Sequence, residues 1–243
     1  MGIYELGYAW RRGDLDAVAR LLEADDDDAD VDAPSHWRPP EGLEATRTFA
    51  LRREQDRLGE LASVLDQILA VAPNAGLWTA GLTLLLAELG RTEEARTSIG
   101  LLADGTGDLR LGDDHLAFLN AVFLAEAAFL VRDPRPARAI VTLLRPLSGR
   151  LLQLGGGLGL YGPADRFRGL AAAAGGDLEQ AREALDAAAA LCRRIEAPLW
   201  LATCLCDLAD ATGDPTPLME ARQVAAGRDW PRVHRRITQL DVR

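Results

Sequence analysis

One glycine motif in the sequence has the form of a nucleotide-binding loop. The segment Gly157 to Gly162 reads G-x-G-x-x-G. In dinucleotide-binding proteins this motif joins a β-strand to a helix in a βαβ unit, and an acidic residue follows about 20 residues later. Here no series of strands is expected, and Asp186 falls within a helical pattern. We therefore interpret the motif as a glycine-rich connection between helices.

An acidic run resembles the beginning of a calcium-binding loop. Asp28, Asp30 and Asp32 have the required spacing. The sixth position is Ala33, where glycine is needed for the turn, and the twelfth is Pro39, where a bidentate glutamate is needed. The run is therefore expected to be a solvated acidic loop, and the sequence predicts neither a metal site nor any other cofactor.

The three cysteines, Cys192, Cys204 and Cys206, lie in apolar helical patterns. On a helix, Cys204 and Cys206 point about 200° apart, so they cannot both bind one metal ion. An odd number of cysteines in such patterns argues against disulfides and is consistent with a reducing compartment. We interpret all three as core residues.

Residues that could act as acids or bases are scattered. His36, His115 and His234 have no serine, cysteine or aspartate at a recognisable motif spacing, although folding can bring distant residues together. Glu93-Glu94 and Glu179-Gln180 each follow a bend, where carboxylates stabilise a helix N-terminus. The sequence therefore predicts no catalytic residue, and the chain is not expected to be an enzyme.

Charge and hydropathy exclude several classes of partner. The formal net charge is −10 and all 27 basic residues are arginines without a basic stripe, which opposes direct binding of nucleic acid. The longest apolar run, Leu116 to Val131, contains Asn120 and Glu126 and is shorter than the roughly 20 residues that span a bilayer. We expect this run to be a buried helix, and the protein to be soluble and cytoplasmic without membrane contact.

A short phrase recurs between helical patterns. Leu89 to Arg96 is repeated closely at Ala174 to Arg182 and more loosely at Arg12 to Arg20. The predicted bends are at Gly13, Gln55, Gly90, Arg132, Gly176 and Gly213. Spacings of about 35 to 44 residues are typical of two-helix repeats. The sequence predicts an all-α fold, an α-solenoid of about five to six tetratricopeptide-like helical hairpins, without a sheet.

The repeats are expected to form one domain. Three segments interrupt the pattern: an acidic and proline-rich stretch at 25–41, a Gly/Asp linker at 104–115 and the glycine-rich stretch at 154–165. The glycine-rich stretch allows a soft split near Gly155 but is not a true linker between domains. We predict a single helical-repeat domain over residues 1–243, with a soft break near 150–163.

The order of these elements resembles a known family. The similar phrases run from about Phe49 to Ala211 and include Phe49 to Gln55, Pro73 to Trp78, Leu86 to Arg91, Pro146 to Arg150, Gly162 to Arg166 and Pro198 to Ala202. The resemblance is to the C-terminal helical-repeat region of large, mostly actinobacterial signalling ATPases, which include cyclase-like multidomain ATPases and transcriptional regulators of the LuxR and maltose-regulator types. The sequence departs from these proteins because it has no G-x-x-x-x-G-K-[ST] loop, no cyclase domain and no helix-turn-helix pattern.

The resemblance implies a regulatory arm that governs an ATPase or output domain. With the repeat architecture, it leads us to expect a non-catalytic sensor or scaffold that binds a protein segment or effector on its concave face. The partner would be another protein or an upstream domain of the same polypeptide. The alternative is an enzyme or small-molecule-binding protein on a helical scaffold, since a fold alone excludes no site. A pocket with His115 or His234 beside an acid would favour that alternative, and an open groove with scattered arginines would favour the binder.

Two regions are predicted to make contacts. Glycine-rich flexibility around Tyr161 and flanking charges make Arg150, Tyr161 and Arg166 candidates for contact with a ligand or partner, the alternative being that Arg166 pairs with an acid of a neighbouring helix. Residues 3–10 carry apolar side chains on both sides of the first helix and are expected to self-associate or to be covered by preceding structure. Alternatively, the loop at 25–41 covers them.

Overall fold

The computed structural model describes residues 3–27, 43–71, 79–103, 108–111, 117–154 and 159–242. Most of these residues are helical, which confirms the all-α prediction in its general form. The α-helices are α1 (Ile3–Arg12), α2 (Leu15–Asp27), α3 (Leu43–Glu54), α4 (Ala62–Val71), α5 (Thr79–Glu88), α6 (Thr92–Leu102), α7 (Ala117–Val131), α8 (Ala137–Leu144), α9 (Ala164–Ala174), α10 (Leu178–Arg194), α11 (Pro198–Thr212), α12 (Thr216–Ala225) and α13 (Pro231–Asp241). Short 3-10 helices lie at Leu58–Leu61 and Arg145–Leu147, and two strands are β1 (Leu151–Leu154) and β2 (Gly159–Pro163).

The recurring phrase forms the same backbone bend each time. A residue with positive φ ends the helix, and the next amide donates to a carbonyl five residues earlier, as in a Schellman motif. Gly90 has a φ of 75°, and the amide of Arg91 donates to the carbonyl of Leu86 at 2.9 Å. The bends at Gly13, Arg132, Gly176 and Gly213 are likewise confirmed by their positive φ, and the bend predicted at Gln55 lies one residue later, at Asp56.

The helices form an inner and an outer set. In α7 every residue from Asn120 to Phe129 is buried, and in α11 every residue from Leu199 to Ala209. By contrast, α10 buries one stripe and exposes the opposite face, the pattern of a helix with water on one side. The apolar run at 116–131 is thus a helix buried on most sides, as predicted. No helix in the described ranges is long and apolar enough to cross a membrane.

A β-hairpin replaces the glycine-rich connection that the sequence suggests. β1 pairs antiparallel with β2, with Leu152 opposite Gly162 and Gln153 opposite Leu160, so that Tyr161 is the extra residue of a β-bulge. Bulges redirect a side chain, and here Tyr161 is buried. The expectation of no sheet was wrong because packing of β2 against α1 and α9, more than a strand-forming pattern, holds the hairpin.

The two ends of the described chain meet. The indole nitrogen of Trp230, just before α13, donates to the carbonyl of Gly13 at 2.7 Å, and the ring lies against the Cα of this glycine. Arg235 in α13 pairs with Asp56 at 2.7 Å. One hydrophobic cluster joins α1 and α2 to the helices from α10 to α13, and another joins the elements from α3 to α9. Helix α9 packs on α8, which precedes the predicted soft break at 150–163, and on α10, which follows it. The soft break itself stays a prediction.

The first helix is covered on one side only. Leu6, Ala9 and Trp10 are buried, and the ring of Trp10 stacks on Trp200 of α11. Tyr4 is 90% exposed and Tyr8 51%. Self-association through residues 3–10 stays a prediction. Of the loop at 25–41 that was proposed to cover them, only residues 25–27 are described, as the end of α2.

We expect Gly176→Val to lower the free energy of unfolding by about 1 kcal/mol or more, because a β-branched side chain resists positive φ. The φ of Gly176 is 84° and no atom lies within 4 Å of a Cβ built there, so the effect would come from the backbone alone. Urea denaturation would measure it. Gly59→Val is the matched control, since Gly59 has the same open space without positive φ. Equal loss in both variants would contradict the bend assignment.

Candidate functional site

A network of charged side chains lies inside the ring of inner helices. It contains four arginines and four carboxylates, so its formal charges cancel. The members of this ionic network are Arg53, Glu54, Glu88, Glu126, Arg166, Asp207, Arg232 and Arg236. They come from α3, α5, α7, α9, α11 and α13, one or two from each inner helix. The network therefore ties together helices that are far apart in sequence.

Glu126, in the middle of α7, is the centre of the ionic network. Arg53 donates to both of its carboxylate oxygens, at 2.9 and 2.6 Å, and Arg166 donates to Oε2 at 2.7 Å. Burial alone would raise the pKa of Glu126, but Arg166 and Arg53 outweigh it and hold the pKa well below its usual range. Glu126 is thus an ionised acceptor and not a proton donor at neutral pH.

Two further carboxylates extend the network on either side. Arg53 donates to Glu88 at 2.6 Å, and Asp207 accepts from Arg166 and from Arg236, each at 2.5 Å. Burial opposes ionisation of Glu88, but Arg53 and Arg232 lower its pKa to about 2. The pKa of Asp207 is also lowered, by Arg166 and Arg236 against the effect of burial.

Tyr161 places a hydroxyl at the edge of the ionic network. The hydroxyl accepts a hydrogen bond from Arg53 at 3.2 Å, and the ring contacts those of Phe123, Phe167 and Trp200 at centroid distances of 5.5, 5.7 and 6.4 Å. Burial, and then the charge of Glu126, raise the pKa of this phenol. Tyr161 therefore remains protonated and acts as a packing element between the charges and the aromatic rings.

The network is least complete where α13 meets α3. Arg232 donates to Glu54 at 3.3 Å and to Glu88 at 3.1 Å, longer than the bonds around Glu126. The Oε2 atom of Glu54 and the Nε atom of Arg232 are buried without a hydrogen-bond partner. Unpaired buried polar atoms weaken a contact, so this is the weakest part of the network.

The structure separates the three predicted contact residues. Arg150 is exposed, whereas Tyr161 is 4% and Arg166 2% exposed. The alternative reading of Arg166 is confirmed, since it pairs with Glu126 and Asp207 of neighbouring helices. Contact of these residues with a partner stays a prediction, but Tyr161 and Arg166 are not on the open surface that the glycine-rich segment suggested.

The remaining chemical candidates fit their structural interpretation. Cys192, Cys204 and Cys206 are buried and not disulfide-bonded, and burial raises the pKa of Cys206 to about 11 and that of Cys204 as well. No group of three or more metal-binding side chains occurs among the described residues. His234 is exposed and bonds to the carbonyl of Arg228 at 2.9 Å, while His36 and His115 lie outside the described residues.

A cleft opens outside the ring, where the N-terminal bend faces the C-terminal helices. It has a volume of about 700 Å³ and lies between the end of α1 and the bends that flank α11 and follow α12. The residues that line this arginine cleft are Tyr8, Arg11, Arg12, Asp14, Cys192, Arg193, Glu196, Ala197, Pro198, Leu201, Gln223, Val224, Ala226 and Arg228. Its lining carries four arginines against two acids, a local excess of positive charge in a chain of net charge −10.

Three of the four cleft arginines have no acidic partner within the described ranges. Arg12 donates to the hydroxyl of Tyr8 at 3.3 Å, and Arg228 donates to the carbonyl of Val224 at 3.1 Å. Arg11 lies 5.0 Å from the centre of the Tyr8 ring, and its Nε atom is buried without a partner. The hydrogen bond from Arg12 lowers the pKa of Tyr8. The cleft thus presents cationic groups beside an aromatic ring.

The fourth arginine and one of the two acids have other roles. Arg193 is held by Glu220 through two hydrogen bonds, at 2.8 and 2.5 Å. Asp14 caps α2 by accepting from the amide of Ala17 at 2.9 Å. Arg193 is therefore occupied, and the cations available to a ligand are Arg11, Arg12 and Arg228.

Comparisons with known proteins identify no relative: no family model matches the chain, and no curated protein or solved structure gives a significant match. What the ionic network and the arginine cleft can do is therefore inferred from their own side chains.

We expect Glu126→Gln to lower the free energy of unfolding by about 3–5 kcal/mol, because breaking a buried ion pair leaves uncompensated charge in the interior. Glu220→Gln is the control: it removes the same charge from an exposed pair with Arg193 and should cost about 0–1 kcal/mol. Urea denaturation of both variants checks this. Similar losses would show that the network contributes no more than a surface pair.

Stability should fall with acid over a defined range. A carboxylate whose pKa is lowered by folding contributes stability above its unfolded pKa, and this contribution is lost as the pH falls through the folded value. For Glu88 that range runs from about 4.5 down to about 2. The free energy of unfolding should therefore decrease between these pH values. Glu88→Gln should flatten the decrease, and a slope equal to that of the unmodified protein would contradict this role for Glu88.

Proposed function

We propose that the chain is a non-catalytic α-solenoid of tetratricopeptide-like hairpins that binds a protein segment or effector. The support is the repeated bend, which returns with the same hydrogen bond after α1, α3, α5, α7 and α9, and the packing of consecutive helices against one another. Solenoids of this kind present extended surfaces for binding. No cofactor is needed for this role.

The arginine cleft is the observation that carries the proposal. Its volume of about 700 Å³ lies in the range of roughly 300–1,000 Å³ that is usual for ligand sites. Tyrosine and arginine line it, the residue types that are enriched at protein interfaces and among their energetically dominant contacts. Its lining has the scattered arginines and polar groups that favour a binder, and no histidine is among the described residues that line it.

The proposed site differs in place from the concave face that the sequence suggested. The inner helices turn their charged and aromatic side chains towards each other, and Tyr161 fills part of the space between them. A segment cannot enter there without breaking buried ion pairs. The site is therefore proposed where the two ends of the chain meet, on the outer side.

The regulatory part of the proposal comes from the resemblance to signalling ATPases and transcriptional regulators. In that role the chain is a cytoplasmic sensor or scaffold arm, and its partner is a separate protein or a domain of the same polypeptide. A small-molecule effector is also compatible with the volume of the cleft. Either ligand would contact the N-terminal bend and the C-terminal helices at once.

The proposal predicts that a random peptide library displayed on phage will enrich binders of the immobilised protein. Gln223→Trp should abolish their binding, because Gln223 is an exposed residue of the cleft and an indole would occupy part of its volume. Gln239→Trp is the matched control, an exposed glutamine on α13 outside the cleft lining. Binding would be measured by fluorescence anisotropy with the selected peptides.

Three outcomes are informative. Binding that survives Gln239→Trp and is lost in Gln223→Trp supports the cleft as the site. Binding equally retained in both variants places the site elsewhere and contradicts this assignment. If no peptide is enriched, the proposal of a segment-binding module is wrong.

A further inference from the structure

We infer that the arginine cleft recognises an acidic protein segment, through Arg11, Arg12 and Arg228. This inference rests on the proposed function and adds the chemistry of the ligand. It follows from charge complementarity, from the identity of the neighbouring aromatic residues and from the way the charges of the cleft are spaced.

The pairing state of the arginines is the first argument. Arg53, Arg166 and Arg193 have carboxylates on their guanidinium groups. In the described part of the chain, Arg11, Arg12 and Arg228 form no ion pair, although the protein carries ten more negative than positive charges. Three guanidinium groups without an ion pair line one cleft, where only Asp14 acts electrostatically on Arg12, so a ligand can supply the acidic partner. The planar guanidinium matches a carboxylate with two parallel hydrogen bonds.

Tyr8 orders the cleft arginines before a ligand binds. The Nε atom of Arg11 is buried without a hydrogen-bond partner, so a ligand can pair only with the terminal nitrogens of this guanidinium group. Tyr8 holds the guanidinium groups of Arg11 and Arg12 at 5.0 and 5.5 Å from its ring centre. These groups are therefore partly ordered before a ligand arrives, which lowers the entropy lost on binding.

The lining also distinguishes a protein segment from a compact anion. Asp14 and Glu196 also line the cleft, so a polyphosphate in it would meet repulsion from two carboxylates. Carboxylates spaced along a peptide can avoid both acids. Apolar groups, among them Leu201 and Val224, and the exposed ring of Tyr4 one helical turn before Tyr8 offer contacts to side chains between those carboxylates.

The test uses two fluorescein-labelled peptides of twelve residues, one alternating Glu with Leu and Ala and the other with Gln in place of every Glu. The Glu peptide should bind at least about tenfold more tightly in 50 mM salt, and the difference should shrink in 500 mM salt because exposed charges are screened.

Arg11→Gln and Arg228→Gln should each weaken binding of the Glu peptide about fivefold or more. Arg145→Gln, an exposed arginine without an ion pair that is not part of the cleft lining, should change it less than twofold.

Each contrary result has its own meaning. Equal affinity for the two peptides, or equal weakening by Arg11→Gln and Arg145→Gln, overturns the preference for an acidic segment while the segment-binding function stands. The preference for an acidic segment is also overturned if inorganic phosphate or ATP displaces the Glu peptide and this displacement depends on Arg228 alone. Failure of both these peptides and library peptides removes the proposed function itself. Light scattering is measured on the protein without the Glu peptide. If the protein dimerises and Arg11→Gln prevents the dimer, a second copy of the chain occupies the cleft. That result also overturns the inference.

Discussion

The pairing of Glu126 with Arg53 and Arg166 constrains the whole arrangement of helices. Removing a carboxylate and two guanidinium groups from water is costly unless their charges and hydrogen-bonding atoms are satisfied together. Glu126 achieves this with three bonds of 2.6 to 2.9 Å from residues on α3 and α9. Both helices must therefore place these arginines within hydrogen-bond distance of the middle of α7. Asp207 and Glu88 repeat the requirement for α11, α13 and α5, so one set of charges determines the positions of six helices.

This interior has a consequence for binding. A solenoid whose inner face is lined by exposed polar groups can accept a peptide there, but here those groups are neutralised by each other and sealed by aromatic rings. The chain closes further when Trp230 binds the N-terminal bend at Gly13. Closure brings α1 next to the bends around α11 and so creates the arginine cleft. The same contacts that occupy the inside thus produce the cleft at which we propose that a ligand binds.

Features determined by neighbouring residues could be predicted from the sequence, and features determined by distant residues could not. Bends at Gly90 and Gly176 were predictable because left-handed backbone conformation favours glycine locally. The burial of α7 followed from its composition. The ionic network joins residues such as Arg53 and Glu126, 73 positions apart, and Arg232 and Glu54, 178 apart, and no local pattern specifies such pairs. The only signal was an acid within an apolar helix, six positions before its bend: Glu126 is the one acid of α7, and Asp207 is one of the two acids of α11. The hairpin with its bulge at Tyr161 was missed because both strands are short, β2 contains two glycines, and the pairing depends on tertiary packing.

The arginines show why exposure and pairing have to be considered together in assigning contact residues. Arg166 follows a glycine-rich segment and seemed accessible, but it is enclosed between Glu126 and Asp207, and a ligand could reach it only by displacing both. Arg12 begins a loose copy of the repeated phrase and Arg11 precedes it, and the sequence singled out neither as a contact residue; yet neither forms an ion pair in the described part of the chain. An arginine whose charge is already neutralised in the interior contributes to the stability and register of the fold. An arginine that lies against an aromatic ring and has no carboxylate partner keeps a charge with which a binding partner could pair. In the described part of this protein, Arg11, Arg12 and Arg228 are such residues, and they lie where the N-terminal and C-terminal helices meet.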